Sequence, residues 1–307
     1  MKFTYNKTAY AKINLFLRCC GKYDNGYHRL FMLMQQISLG DDIYIELDDS
    51  RDFKIEIESG VDIPCEKDLG YRAAKAFYDA YAALLESRGE APDLPYTFIR
   101  QTKKVPSQAG LGGGSSDAAT VLVTLQKHFG EPLSQDEMLR ISSRLGADVP
   151  FFLAGGTCIC EGVGEIVTKL PGLAGVNAVL VKPSEGVSTA ECYKLSDEMY
   201  KPFDENSYKA RMNKIFSDDK LEPIERIIKA GDDLINDLQP PAVELLPRIT
   251  GINEAIKETG AAFAAMTGSG SCVFGIYRDE TARDEAVARL SSDPRISGCK
   301  IIPSALI

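Results

Sequence analysis

Val105-Pro106-Ser107-Gln108-Ala109-Gly110-Leu111-Gly112-Gly113-Gly114-Ser115-Ser116-Asp117-Ala118-Ala119 sets four glycines and a serine pair directly before residues 118–125, a run that reads as the start of a helix. Glycine lets backbone approach a ligand closely and take positive φ. A helix N-terminus adds unpaired N–H groups and about half a positive charge. Together they make an anion cradle, whose usual occupant is a nucleotide phosphate. The blander reading is a glycine linker feeding a helix capped by Ser115 or Ser116, with Asp117 at its positive end. Such a linker need not end so sharply on a helix. No Lys follows the glycines as in G-x-x-x-x-G-K-S/T, and no acidic residue closes a strand about twenty residues later, as a dinucleotide fold would want. The motifs of eukaryotic-type protein kinases are also absent. The segment reads as a phosphate loop of another kind.

The rest of the chain has the composition of an ordinary soluble globular protein long enough for two domains. It has 307 residues, 35 Lys+Arg against 44 Asp+Glu and a net charge of −9. That balance argues against nucleic acid or an anionic membrane as a partner. An acidic chain that binds a polyanionic nucleotide must gather its cations locally, so each Lys near the loop matters. No apolar run approaches the roughly 20 residues a membrane helix needs, and the N-terminus lacks the apolar core of a signal peptide. The eight cysteines include Cys19-Cys20 and Cys158-x-Cys160 but no C-x-x-C spacing, and there are only two histidines. They read as reduced, structural thiols of a cytoplasmic protein.

Period-two alternation at Ile13, Leu15 and Leu17, at Ile43, Ile45 and Leu47, and at Phe53, Ile55 and Ile57 predicts three or four antiparallel strands in the first sixty residues. Residues 68–86 read as a helix with one broad apolar face. Residues 96–103 return to strand and lead into the glycine loop. Ser134 with Glu137 forms a capping box for a helix ending near Gly146. Residues 155–170 read as a hairpin and 171–175 as the domain boundary. Strands are expected again at 178–181, 272–277 and 300–302. The mixture is α+β in both halves.

Lys12 and Asn14 lie two apart on a strand, so both project from one side. A solvated face is the default for any Lys, but flanking Ala11 and Ile13 make this an unusual place for a solvated charge. Asp148 precedes Val149-Pro150, and Pro150 biases Val149 towards extended backbone, which places Asp148 at a helix-to-strand turn. It is either a turn cap or a partly buried carboxylate wanting a cationic partner. With Lys12 as that partner, the pair could take a proton from a hydroxyl and hold an incoming phosphoryl group. Tyr27 and His28 follow a turn-forming stretch and can stack on and hydrogen-bond a planar base; His28 could equally be a surface residue. Residues 266–272 form a second glycine-serine loop, which is either a tight turn or a closure over substrate or phosphate.

In order and spacing, these residues resemble the GHMP small-molecule kinases. The similarity is most specific at Ala11-Lys12-Ile13-Asn14-Leu15-Phe16-Leu17, at Gly26-Tyr27-His28, at the 106–119 loop and at Gly146-Ala147-Asp148-Val149-Pro150. Glu161-Gly162-Val163-Gly164-Glu165, Asn236-Asp237-Leu238 and Thr267-Gly268-Ser269-Gly270 add weaker support, so the resemblance spans nearly the whole chain. It implies an α+β two-domain GHMP kinase fold. The N-terminal domain, residues 1–170, would be ribosomal-S5-like α/β; the C-terminal domain, 171–307, would be ferredoxin-like α/β, with the active site in the cleft between them.

The activity implied is ATP-dependent phosphorylation of the 2-hydroxyl of 4-diphosphocytidyl-2-C-methyl-D-erythritol in the non-mevalonate route to isoprenoid precursors. Matched residue by residue, Asp148 is the catalytic base and Lys12 its cationic partner. Residues 106–116 wrap the ATP phosphates. Asn14, Tyr27 and His28 face the cytidyl substrate, His28 reading the cytosine edge, and Tyr193 stacks on the base. Mg²⁺ is expected with ATP, held mainly by phosphates and water with a loop serine assisting. Oligomeric state is left open. One departure is Lys67-Asp68-Leu69 where the family often has Asp-Asn-Leu, since an ionised Asp68 cannot donate to adenine. Two other functions compete: a GHMP kinase for homoserine or mevalonate, which would not need the Tyr27-His28 site, and a silent nucleotide-binding regulator, which would not need both Lys12 and Asp148.

Overall fold

The computed structural model describes residues 1–307. Two strands open the chain, β1 (Lys2–Lys22) and β2 (His28–Asp48), each of 21 residues and paired with one another. There follow β3 (Ile55–Glu58), α1 (Leu69–Ser87), β4 (Tyr96–Thr102), α2 (Gly113–His128), α3 (Gln135–Leu145) and α4 (Val149–Ala154). The remainder comprises β5 (Thr157–Gly162), β6 (Ile166–Lys169), β7 (Asn177–Lys182), α5 (Thr189–Met199), α6 (Glu205–Phe216), α7 (Pro223–Ala230), α8 (Gln239–Leu245), α9 (Arg248–Glu258), β8 (Phe263–Met266), β9 (Val273–Tyr277), α10 (Glu280–Ser291) and β10 (Lys300–Ala305).

The chain forms two compact units that interleave along the sequence. The first takes Met1–Ala11, Gly40–Val105 and Gly112–Ala154; the second takes Lys12–Leu39, Pro106–Leu111 and Gly155–Ile307. In the first unit, Asp42 to Asp48 of β2 runs antiparallel to β4, and β3 lies parallel to β4. Helices α1 and α2 pack on one another, α1 burying Ala73, Phe77 and Tyr78 and α2 burying Val121, Leu122 and Leu125. In the second unit, Leu30 to Gln35 of β2 pairs antiparallel with β5, which forms the expected hairpin with β6. A separate antiparallel sheet has the order β10-β7-β9-β8, with α9 and α10 against it.

Three expectations need correction. The early alternation belongs to two very long strands plus one short one, and β3 is parallel rather than antiparallel; Phe53 lies outside it and is exposed. The helix after the glycine loop starts at Gly113, because Gly112 at φ 71° serves as a left-handed N-cap, so neither Ser115 nor Ser116 caps it. Asp148 sits between two helices rather than before a strand. Pro150 occupies the first turn of α4, where its missing N–H costs nothing. The capping box at Ser134 and Glu137 forms as read.

Candidate active site

The glycine loop of residues 106–116 is held by backbone contacts that only glycine permits. Gly110 has φ +71°, and a Cβ there would stand 2.2 Å from the Thr267 carbonyl oxygen. Reciprocally, a Cβ on Gly268 would stand 3.0 Å from the Gly110 Cα. The two glycine loops therefore touch main chain to main chain. Beyond Gly112 no side chain caps α2, and the helix ladder begins with Ser116 N donating to the Gly112 carbonyl. The amides of Gly113, Gly114 and Ser115 precede that ladder and are the donors a helix start offers an anion. The Ser116 hydroxyl is engaged, donating to the Tyr10 carbonyl at 2.7 Å.

Lys12 and Asn14 do share one side of β1, but that side is inside: Lys12 is 4% exposed and Asn14 fully buried. Lys12 Nζ donates to Asn14 Oδ1 at 2.6 Å, and Lys12 N donates to the loop carbonyl of Leu111 at 3.0 Å. Asn14 N donates to Thr267 Oγ1 at 2.9 Å, and that hydroxyl lies 3.4 Å from the Gly110 carbonyl oxygen. One cluster thus gathers the strand lysine, its neighbouring amide and both glycine loops. Asn236 anchors it from behind, donating through Nδ2 to the Met266 and Gly268 carbonyls. The adjacent Asp237 accepts from Arg18 Nε and Cys19 N, fixing β1 to the same turn.

Asp148 belongs to the first unit, half-buried, and the turn carrying it brings Gly146 beside Ser115 of the glycine loop: a Cβ on Gly146 would stand 3.8 Å from Ser115 Oγ. The lysines flanking the loop are already paired. Lys103 bridges Asp41 and Asp117, while Lys104 pairs with Asp42 at 2.7 Å. Asp41 also accepts from the backbone amides of Lys104 and Val105, which ties the loop's entry to β2. Asp117, near the start of α2, is buried with one carboxylate oxygen unpartnered. Burial pushes its carboxyl up to about 7, against the pull of Lys103, and Asp41 and Asp68 add to the rise. Asp68 caps α1, accepting from Gly70 N and Tyr71 N and from Gln101 Nε2.

Gly26-Tyr27-His28 forms the turn from β1 into β2, with Tyr23 N donating to the Tyr27 carbonyl. The Tyr27 side chain is largely exposed, at 65%. The His28 ring is not a loose surface group: its side chain is 14% exposed, and Nε2 lies 2.7 Å from Asp197 Oδ1. The Tyr193 ring lies on it, with centroids 4.7 Å apart and planes at 33°. Asp41, Asp197, Asn236 and Thr267 were not singled out one by one from the sequence. Thr267 and Asn236 were within reach, because each sits in a segment that carried part of the resemblance. Nothing local marks Asp197, whose signal is only that it follows Tyr193 by four residues on α5.

Two family models match the chain, the GHMP kinases N terminal domain over residues 71–156 and the GHMP kinases C terminal domain over 218–295. A 4-diphosphocytidyl-2-C-methyl-D-erythritol kinase of Desulfitobacterium hafniense is 38% identical, over 91% of this chain and 89% of its own length. A crystal structure of a 4-(cytidine 5'-diphospho)-2C-methyl-D-erythritol kinase superposes with TM-score 0.75 at 28% identity, covering 98% of this chain and 99% of that one. A homoserine kinase from Cytophaga hutchinsonii superposes with TM-score 0.70 at 18% identity over 99% of this chain and 95% of its own, which shows a common fold alone. The chain belongs to the GHMP kinases, in the family of the 4-diphosphocytidyl-2-C-methyl-D-erythritol kinases.

Proposed function

We propose that the chain transfers the γ-phosphoryl group of ATP to the 2-hydroxyl of 4-diphosphocytidyl-2-C-methyl-D-erythritol, as an enzyme of the cytoplasm supplying isoprenoid precursors. The observation that carries this reading is the cluster in which Gly110, Thr267, Lys12 and Asn14 meet. It joins the glycine-loop backbone, a buried lysine and its neighbouring amide in a single hydrogen-bonded group, which supports the roles given to them in this reading. Phosphoryl transfer asks mainly for positioning and charge neutralisation, and such a group supplies both.

In this reading Asp148 takes the proton of the 2-hydroxyl, the oxygen bonds to the γ-phosphorus, and the bridging P–O bond breaks so that ADP leaves with its electron pair. Lys12 places its charge on the transferring group, and residues 106–116 hold the phosphates through their amides. Asn14, Tyr27, His28 and Tyr193 hold the cytidyl substrate, with His28 on the base edge. Mg²⁺ fits this chain as a metal carried by the ATP phosphates. No three His, Cys, Asp or Glu side chains gather to hold a metal ion, so the chain offers no all-protein cage, and the hydroxyl of Ser115 beside the Asp148 turn is an available oxygen donor. When bound, the ion neutralises phosphate charge.

The test is ATP consumption by the purified protein with Mg²⁺, comparing 4-diphosphocytidyl-2-C-methyl-D-erythritol with homoserine, mevalonate and galactose. Turnover selective for the cytidyl compound, with Asp148→Asn reducing kcat at least about a thousandfold while ATP still binds, is the expected result. Selective turnover of homoserine or mevalonate would overturn the substrate. A loss below about tenfold in Asp148→Asn would remove it as the base.

A further inference from the structure

His28 is gripped from one helix by two groups. Tyr193 and Asp197 stand four residues apart on α5 and so share a face. The first lays its ring on the imidazole and the second meets Nε2 at 2.7 Å. The other oxygen of Asp197 accepts from Lys22 Nζ, at 2.5 Å. Burial alone would raise the Asp197 carboxyl, but the hydrogen bonds from Lys22 and His28 outweigh it and hold the group below its ordinary range. It is an ionised, acceptor-only carboxylate.

An acceptor-only partner leaves the neutral imidazole one arrangement. Nε2 must carry the proton, and Nδ1 is then a bare acceptor. Cytosine presents an amine at its 4-position, whereas the corresponding position of uracil is a carbonyl acceptor. A bare Nδ1 pairs with the first and faces the second lone pair to lone pair. Resting on the substrate reading above, we propose that Asp197 is a specificity-determining positioning residue, which fixes His28 as an acceptor for the cytosine amine and thereby discriminates cytidyl from uridyl substrates.

The pair contributes little to folding, because Lys22 and Asp197 are part-exposed and such ion pairs add little. Asp197→Ala therefore yields a folded protein in which either imidazole nitrogen can hold the proton. The experiment measures KM and kcat of wild type, Asp197→Ala, His28→Ala and the double variant with 4-diphosphocytidyl-2-C-methyl-D-erythritol and its uridyl analogue. Asp197→Ala is expected to raise the cytidyl KM about tenfold and to reduce the cytidyl-over-uridyl preference by a similar factor. Its kcat and ATP KM should stay within about twofold. In the His28→Ala background the second substitution should do almost nothing, since the carboxylate acts through the imidazole. A role confined to fold stability would move neither the preference nor the double-variant result.

An unchanged preference in Asp197→Ala, or additive effects in the double variant, would overturn the assignment. Nitrogen-15 NMR of the His28 ring provides an independent reading of the same inference. Wild type should show Nε2–H at a pH where the ring is neutral, and Asp197→Ala a mixture of the two tautomers. If wild type did not turn over the cytidyl compound, the substrate reading would fail by itself. The tautomer measurement would still decide whether Asp197 sets the ring, and an Nδ1–H tautomer in wild type would end the proposal outright.

Discussion

The two glycine-rich loops look alike in composition and differ in what their backbone has left to offer. In the loop of residues 266–271 several polar groups are tied down by the surrounding protein. The Met266 and Gly268 carbonyls accept from Asn236, Met266 N donates to Gln239, Thr267 N donates to the Cys272 carbonyl, and the Ser271 hydroxyl donates to the Glu185 carbonyl. In the loop of residues 106–116 the amides that open α2 come before any intrahelical bond, and Gly112 has no side chain with which to cap them. The loop of residues 106–116 is a set of open donors, and the loop of residues 266–271 is a brace that meets it at Gly110. Glycine content alone does not separate these roles; what each loop's backbone is bonded to does.

The sharpest way to break that division is at the point where the loops meet. Gly110→Ala puts a methyl carbon 2.2 Å from the Thr267 carbonyl oxygen on a residue already at positive φ. One loop must move off the other. The expected result is a loss of at least about a hundredfold in kcat/KM together with destabilisation of roughly 2–4 kcal/mol in urea. Near-wild-type turnover would mean that the contact is incidental and that the cradle needs no brace.

Asn236→Ala acts on the brace alone. It leaves the Met266 and Gly268 carbonyls without their shared donor, at a cost of about 1–3 kcal/mol. The expected outcome is a fall of about tenfold in kcat/KM while equilibrium ATP binding changes by less than about threefold. A large loss of ATP affinity instead would show the second loop to be part of the cradle itself, and the comparison would collapse.

What could be read from the chain follows the same division between local and non-local signals. The glycine loop, the capping box at Ser134 and Glu137, and the hairpin of β5 and β6 all rest on patterns a few residues long. Their boundaries came out within a few residues wherever local chemistry set them. The helix start at Gly113 was missed because a glycine N-cap leaves no side-chain signature. The length of β1 and β2 has no such local signal, because polar residues such as Gln35 and Asp41 break the apolar alternation of β2 while being buried. At the site, Lys12 with Asn14 and His28 with Tyr193 do come together. Residues that act on these from far away in sequence, such as Asp41 on residues 103–105 and Asp197 on His28, have no pattern to betray them.

The smallest effect separates the loops by charge. The brace contains nothing that titrates between pH 4 and 8, whereas the start of α2 carries Asp117, whose buried carboxyl is raised from 3.8 to about 7. Since the folded protein holds that proton more tightly than the unfolded chain does, the stability it contributes is full below about pH 4. It is lost as pH rises from there through 7. Asp117→Asn removes this titration while leaving an amide oxygen for Lys103. Thermal melts of both proteins from pH 5 to 8 should therefore show wild type losing a few degrees relative to the variant as pH climbs, the gap changing most steeply between about pH 5 and 6 and levelling off above about 7. A constant gap across the range would mean that Lys103 keeps Asp117 ionised throughout. The start of α2 would then carry a permanent negative charge beside its open amides, and any anion held there would have to be held by those donors against that charge.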